Sequence, residues 1–261
     1  MQGYIERSSP DCMNNKWYIL FGSLLCARFS IAQTKQITTD DQVWVGYVNQ
    51  TRLTDKWGIL GDANLRTKRD FFTNFYHAIA RAGVMYYLND ATRVAAGYAY
   101  VNNFPDIGHK DVSQPEHRPW QQIQWQTTAG KKSIAQRFRL EERFRRKVLN
   151  DSTLAPGYVF NFRARYQFSM QFPLSWKGIA PHTFSILAND EVMINFGKTI
   201  VYNYFDQNRF FVGLAYQTDA NSHIQAGYMN VFQQLSSGYQ ARYSNIIRLF
   251  YYHNIDTRRR K

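Results

Sequence analysis

The sequence predicts an all-β chain: a transmembrane, up-and-down antiparallel β-barrel of about 10–12 strands, with short periplasmic turns and longer outer loops. Three observations carry this. Polar and apolar residues alternate with a period of two along most of the chain, the period of a half-buried strand. Aromatic residues make up 16% of 261 residues, with only 7 prolines and 15 glycines, which excludes a disordered or collagen-like chain. A leader-like segment precedes the alternating region.

The leader comes first. Trp17 to Ala27, WYILFGSLLCA, is an apolar run of 11 residues. A membrane-spanning helix needs about 20, but the run fits the central region of a secretory signal peptide. Lys16 supplies the positive start, and Ser30 and Ala32 supply small residues at −3 and −1. Cleavage is expected between Ala32 and Gln33. Residues 1–12 read as a mis-assigned start or an unused extension, because Met13-Asn14-Asn15-Lys16 opens a signal peptide better. Leu24-Leu25-Cys26 lacks the small residue that a lipoprotein signal places before its cysteine. Both cysteines, Cys12 and Cys26, depart with the leader, so the mature chain has no disulfide. Of the formal charge of +13, the leader accounts for +1 and the exported part for +12.

After a short linker over 33–41 the barrel is expected over 42–254, followed by a basic tail over 255–261. Val43 to Leu53 and Trp57 to Thr67 form a pair around Thr54-Asp55-Lys56. Tyr76 to Leu88 and Thr92 to Val101 surround Asn89-Asp90-Ala91. Trp120 to Thr128 precedes the turn Ala129 to Lys132 and an arginine-rich run, Ser133 to Arg145. Tyr158 to Phe172 is the clearest case: Tyr158, Phe160, Phe162, Ala164, Tyr166, Phe168, Met170 and Phe172 share one face, while Asn161, Arg163, Arg165 and Gln167 share the other. Thr183 to Phe196, Arg209 to Gln217, His223 to Gln233 and Tyr243 to Asn254 complete the set.

These runs number about eleven. Both ends of a bacterial barrel normally lie in the periplasm, so an even total of 10 or 12 is expected, with 12 favoured. Either a strand near Thr34 to Gln42 or Thr199 to Phe205 has been missed, or one run has been counted in excess. Connections after the first, third, fifth and ninth runs are short. Those after the second, fourth, sixth and eighth are longer and polar. This asymmetry, with strands longer than the usual 5–6 residues, favours a barrel in an outer membrane of Gram-negative type over a secreted sandwich or lipocalin-like barrel. A closed sheet leaves no backbone edge in lipid.

Four stretches also carry a resemblance: Asp41 to Tyr47 (DQVWVGY), Pro115 to Gln122 (PEHRPWQQ), Arg137 to Phe144 (RFRLEERF) and Phe205 to Arg209 (FDQNR). Together they resemble the bacterial outer-membrane family labelled domain of unknown function 2490, over roughly residues 40–255. The resemblance implies a β-barrel and an outer-membrane location, and no activity. One departure from general barrel practice stands out. Such chains often end on an aromatic residue read by the barrel-assembly machinery, whereas Phe250-Tyr251-Tyr252 is followed here by nine residues ending Arg258-Arg259-Arg260-Lys261.

With the oily face towards lipid, the polar face lines the lumen. Inward candidates are Asp62, Arg66, Arg81, Arg137, Arg139, Glu141, Arg143, Arg145, Arg163, Arg165, Glu191 and Arg209. Arginine outnumbers carboxylate. The leading expectation is a structural or scaffold barrel with a salt-bridged lumen in which Glu141 and Glu191 cross-link the arginines. The alternative is a narrow anion-selective pore, or a barrel handling anionic solutes or lipids. A second alternative is a hydrolase like outer-membrane phospholipase, a barrel with a Ser–His pair on its outer face. His182 and Ser185, three apart, point to opposite faces, and Ser222 and His223 diverge. There is no nucleophile elbow, zinc motif or phosphate loop, so no enzyme activity, cofactor or metal is expected. Expected partners are outer-membrane lipids, the assembly machinery and anionic solutes. Nucleic acid is not expected, since the basic residues alternate with apolar ones on exported strands. Trp44, Trp57, Trp120, Trp125, Tyr98, Tyr100, Tyr251 and Tyr252 are assigned to interfacial girdles.

Overall fold

A computed structural model describes residues 35–68, 74–106 and 109–258. The expected cleavage site at Ala32 and Gln33 lies outside the described residues. Eleven strands form among them: β1 (Gln36–Arg52), β2 (Trp57–Lys68), β3 (Asn74–Tyr87), β4 (Thr92–Asn103), β5 (Gln114–Ala129), β6 (Lys132–Asn150), β7 (Thr153–Pro173), β8 (Phe184–Phe196), β9 (Phe205–Gln217), β10 (Ser222–Gln234) and β11 (Gln240–Asp256). Each pairs antiparallel with its sequence neighbours, and the sheet closes on itself.

Closure is where the expected even count fails. With eleven strands the first and last run in the same direction, so β1 and β11 pair parallel, in register from Gln36↔Gln240 to Arg52↔Asp256. The segment Gln36 to Asp41, expected as linker, is the start of β1. Its polar side chains mask the strand period, but β11 supplies its backbone partners. Residues 199–204 form a loop rather than a twelfth strand.

The hairpins follow from turn chemistry. Thr54 Oγ1 accepts the Trp57 N–H at 2.9 Å, and Asn89 Oδ1 accepts the N–H groups of Ala91 and Thr92 at 2.9 and 2.7 Å. Such side-chain acceptors stand in for backbone partners in tight turns. The loop asymmetry is weaker than expected. The sixth connection is only Asp151-Ser152, because β6 and β7 extend past two bulges to Asn150↔Thr153. The ten-residue loop 174–183 lies at the end that carries the tight turns.

The outer surface is apolar. Val45, Ile59, Val84, Phe138, Phe168, Ile186, Leu214, Ile224 and Leu249 are exposed around the barrel. Polar outer side chains pair with one another: Gln121 with Glu142, Asn208 with Asp190, and Tyr228 with Asn245.

The interior mixes charge with bulk. Trp44, Leu187, Phe211, Met229, Val231, Ile246 and Phe250 pack into one buried cluster, and Leu60, Met85, Tyr87, Ala95, Ala99 and Trp120 into another. Trp44 and Trp120 are therefore not girdle residues, and Tyr252 also lines the interior. Trp120 shares its strand parity with Arg118 and Gln122, so it must point where they point. Its indole fits there because β3 and β4 place Gly83 opposite Gly97, and an added Cβ on either would sit 2.6 to 2.7 Å from the ring. Trp57, Tyr98, Tyr100 and Tyr251 do stand on the outer surface.

Candidate functional site

Strand parity brings the charged residues together. On β6, Arg139, Glu141 and Arg143 are buried while Phe138 is exposed and Leu140 only partly covered. On β7, Asn161, Arg163 and Arg165 are buried. Cross-strand register then sets Glu141 opposite Arg163 and Arg139 opposite Arg165.

The result is a continuous ion-paired wall. Arg163 donates to Glu141 at 2.6 Å and to Asp206 at 3.0 Å. Arg165 reaches Glu141 at 2.7 Å and Glu191 at 2.8 Å. Arg137 joins Glu191 at 2.8 Å. At the other side Glu116 holds Arg118 and Arg143, each at 2.6 Å, and Arg145 at 3.4 Å. Asp62 pairs with Arg81 at 2.9 Å. Charge-assisted bonds of this kind are the strong class, and the fork of arginine lets one side chain bridge two carboxylates.

The carboxylates run out before the arginines do. Arg139 donates Nε and Nη2 to the Gln122 amide oxygen at 2.9 and 2.6 Å, and its Nη1 is buried without a hydrogen bond, with Glu141 3.9 Å away. Arg209 donates to Gln207 at 3.0 and 2.7 Å, with Glu191 3.8 Å away. Arg66 has only the Asn64 amide oxygen, at 3.1 Å, and no ion pair among the described residues. Aromatic faces take up part of the deficit. Arg66 lies 3.7 Å and Arg209 5.1 Å from the centre of the Trp44 ring, and Arg139 5.1 Å from that of Trp120.

Inside this wall is a cavity of about 1020 Å³. Its lining runs from Asn203 and Gln234 at one end of the barrel to Gln126 and Asn254 at the other. Twelve arginines line it against five carboxylates, with Glu116 and Glu141 buried in the wall.

All twelve inward candidates are placed on the interior. Glu141 sits in the wall, and Asp62, Arg66, Arg81, Arg137, Arg139, Arg143, Arg145, Arg163, Arg165, Glu191 and Arg209 also line the cavity. Sequence reasoning missed Glu116, Arg118 and Asp206. Glu116 and Arg118 alternate in step with Gln122 on β5, a signal that Pro115 and Pro119 obscure by breaking the run. Asp206 precedes a register shift at Met193/Ile194, so parity counted back from Arg209 assigns it to the wrong face.

The serine–histidine pairs do not meet. Ser185 is buried, whereas His182 is exposed at φ 59°, its ring beside the Tyr216 hydroxyl at 3.4 Å. His223 stacks on Tyr252 inside the barrel and bonds Gln225 at 3.1 Å. Outside, His117 sits among Tyr98, Tyr100 and Tyr158 and bonds the hydroxyl of Tyr98. Among the described residues no group of His, Cys, Asp and Glu side chains converges as a metal site. The groups that do converge are guanidiniums, whose chemistry is recognition of oxyanions.

The family model described as "Protein of unknown function (DUF2490)" matches residues 41–242. Searches of curated proteins and of solved structures gave no match.

Proposed function

From the premise that this chain belongs to the DUF2490 family, we propose that it is an integral outer-membrane β-barrel whose cationic lumen admits small anionic solutes. The observation that carries this is an inversion of the usual soluble pattern. Large apolar side chains are exposed around the outside, while twelve arginines line a cavity within. Water penalises the first and an apolar core penalises the second. A bilayer outside and an aqueous lumen inside satisfy both.

The ion-paired wall from β5 to β9 is the scaffold of this barrel. It agrees with the structural expectation that Glu141 and Glu191 cross-link arginines. It does not fill the bore. The fixed positive surplus around the remaining cavity concentrates anions and excludes cations. On this reading the partners are outer-membrane lipids, the assembly machinery that inserts the barrel, and anionic solutes, and the protein is not an enzyme.

Two measurements test the proposal. The folded protein in detergent should migrate differently on a gel before and after boiling. In a planar bilayer under a potassium chloride gradient, the reversal potential should report chloride as the main carrier. Arg93→Glu and Arg145→Glu, both facing the cavity with few partners, should move that potential towards cation permeation. Recovery of the protein in the soluble periplasmic fraction would sink the membrane reading. A silent bilayer would sink the solute reading and leave the scaffold.

A further inference from the structure

We infer that Arg66 and Arg209, meeting on the indole of Trp44, form an oxyanion-binding site within the lumen, specific for phosphate or carboxylate groups over halide. The inference rests on the reading that anions enter the cavity, and adds where they stop and which kind is held.

Three strands build the site in one row. β1 sets Trp44 opposite Arg66 of β2, and β2 sets Arg66 opposite His77 of β3. Arg209 arrives from β9, with β11 and β10 between it and β1, and reaches the same indole. The Trp44 ring is itself fixed, because its Nε1 donates to Gln42 at 2.7 Å and the side chain is buried. One rigid aromatic surface therefore holds two guanidiniums of distant strands near each other.

What these cations lack is a close anion: among the described residues Arg66 has no carboxylate, and Arg209 has Glu191 only at 3.8 Å. Arg66 makes no ion pair among the described residues, and its one hydrogen bond to them uses Nε. Both Nη groups stay available, and the side chain lines the cavity. Arg209 spends Nε and Nη2 on a neutral amide. The Nδ1 atom of His77, the register partner of Arg66, is buried with no hydrogen-bond partner. Like charges gather here too, with Arg118, Arg165 and Arg81 within electrostatic range of Arg66. An oxyanion between the two forks would accept from Arg66 and Arg209 and relieve their repulsion. A guanidinium fork matches the two oxygens of a carboxylate or phosphate, which a spherical halide does not offer.

The test is equilibrium binding to the folded full chain in detergent, with inorganic phosphate and succinate as separate probes and chloride as background salt. Tryptophan emission and calorimetry should both report saturable binding. Whichever probe binds more tightly identifies the oxyanion class. Arg66→Gln and Arg209→Gln should each weaken binding by about tenfold or more, the cost of losing charge-assisted hydrogen bonds. The emission change should vanish in Trp44→Phe while calorimetric binding remains, which keeps the test meaningful if an arginine variant fails to fold. Absence of saturable binding to the wild type, or binding unchanged in both arginine variants, overturns the site. Binding is read without a through-path. A bilayer silent in chloride with phosphate binding intact therefore rejects the solute-passage reading alone, whereas conduction without oxyanion binding rejects the site alone.

Discussion

Glu141 and Arg163 are direct cross-strand partners on β6 and β7, and Glu141 Oε2 accepts from Nε and Nη2 of Arg163 at 2.9 and 2.6 Å. Both side chains are almost fully buried. The other oxygen of Glu141 takes Arg165, so one carboxylate bridges two guanidiniums.

Removing that carboxylate charge should therefore be costly. Glu141→Gln leaves Arg163 with Asp206 and Arg165 with Glu191, and places an uncompensated charge in the wall. A loss of about 3–5 kcal/mol is expected, the usual cost of breaking a buried pair from one side. Glu142→Gln, one residue along but outside against Gln121, should change stability by less than about 1 kcal/mol. Urea unfolding in detergent, followed by the boiled and unboiled gel bands, measures both. Equal losses would contradict the assignment of faces.

The glycines under Trp120 give a steric test. A Cβ at Gly97 would lie 2.1 Å from the Ala82 carbonyl oxygen and 2.7 Å from the Trp120 ring. Gly97→Ala should cost roughly 1–3 kcal/mol by overpacking and shift the tryptophan near-ultraviolet circular dichroism. Gly130→Ala, in a turn with open space but φ +62°, should cost about 1 kcal/mol through backbone strain alone, with no spectral change.

At the rim, Arg52 donates to Asp90 at 2.7 Å across two hairpins. That hydrogen bond, followed by the charge of Arg52, holds the Asp90 carboxyl below its ordinary value. A depressed carboxyl contributes its stabilisation above the unfolded pKa and loses it as pH falls through the folded one. Asp90 should accordingly stay ionised below the usual aspartate range, and Arg52→Gln should return its midpoint upward. Carboxyl-carbon NMR titration of the protein in micelles reads this directly. An unchanged midpoint would show that the contact does not persist in solution.

The leader expected from the sequence makes a separate prediction. Ser30 and Ala32 place small residues at the expected cleavage positions, so N-terminal sequencing of the exported protein should begin at Gln33. A mature chain beginning at Met1 or Met13 would refute it.

The sequence alone determined the fold class, the approximate strand count and which side chains face inward wherever alternation is unbroken. A period of two admits only two faces, so Tyr158 to Phe172 could be sorted residue by residue. The same rule placed Arg137, Arg139, Glu141, Arg163 and Arg165 on one side before any partner was known. It did not reveal the parallel seam between β1 and β11, because the direction in which a sheet closes depends on strands about 200 residues apart. Nor did it separate Trp44 and Trp120 from the outer aromatics. An indole suits either surface, and only the hollow above Gly83 and Gly97, or the guanidiniums of Arg66 and Arg209, decides which. Parity can say that an arginine points inward. Whether it meets a carboxylate, as Arg163 meets Glu141, or only an amide and an indole, as Arg66 does, is set by the register and by the width of the closed barrel.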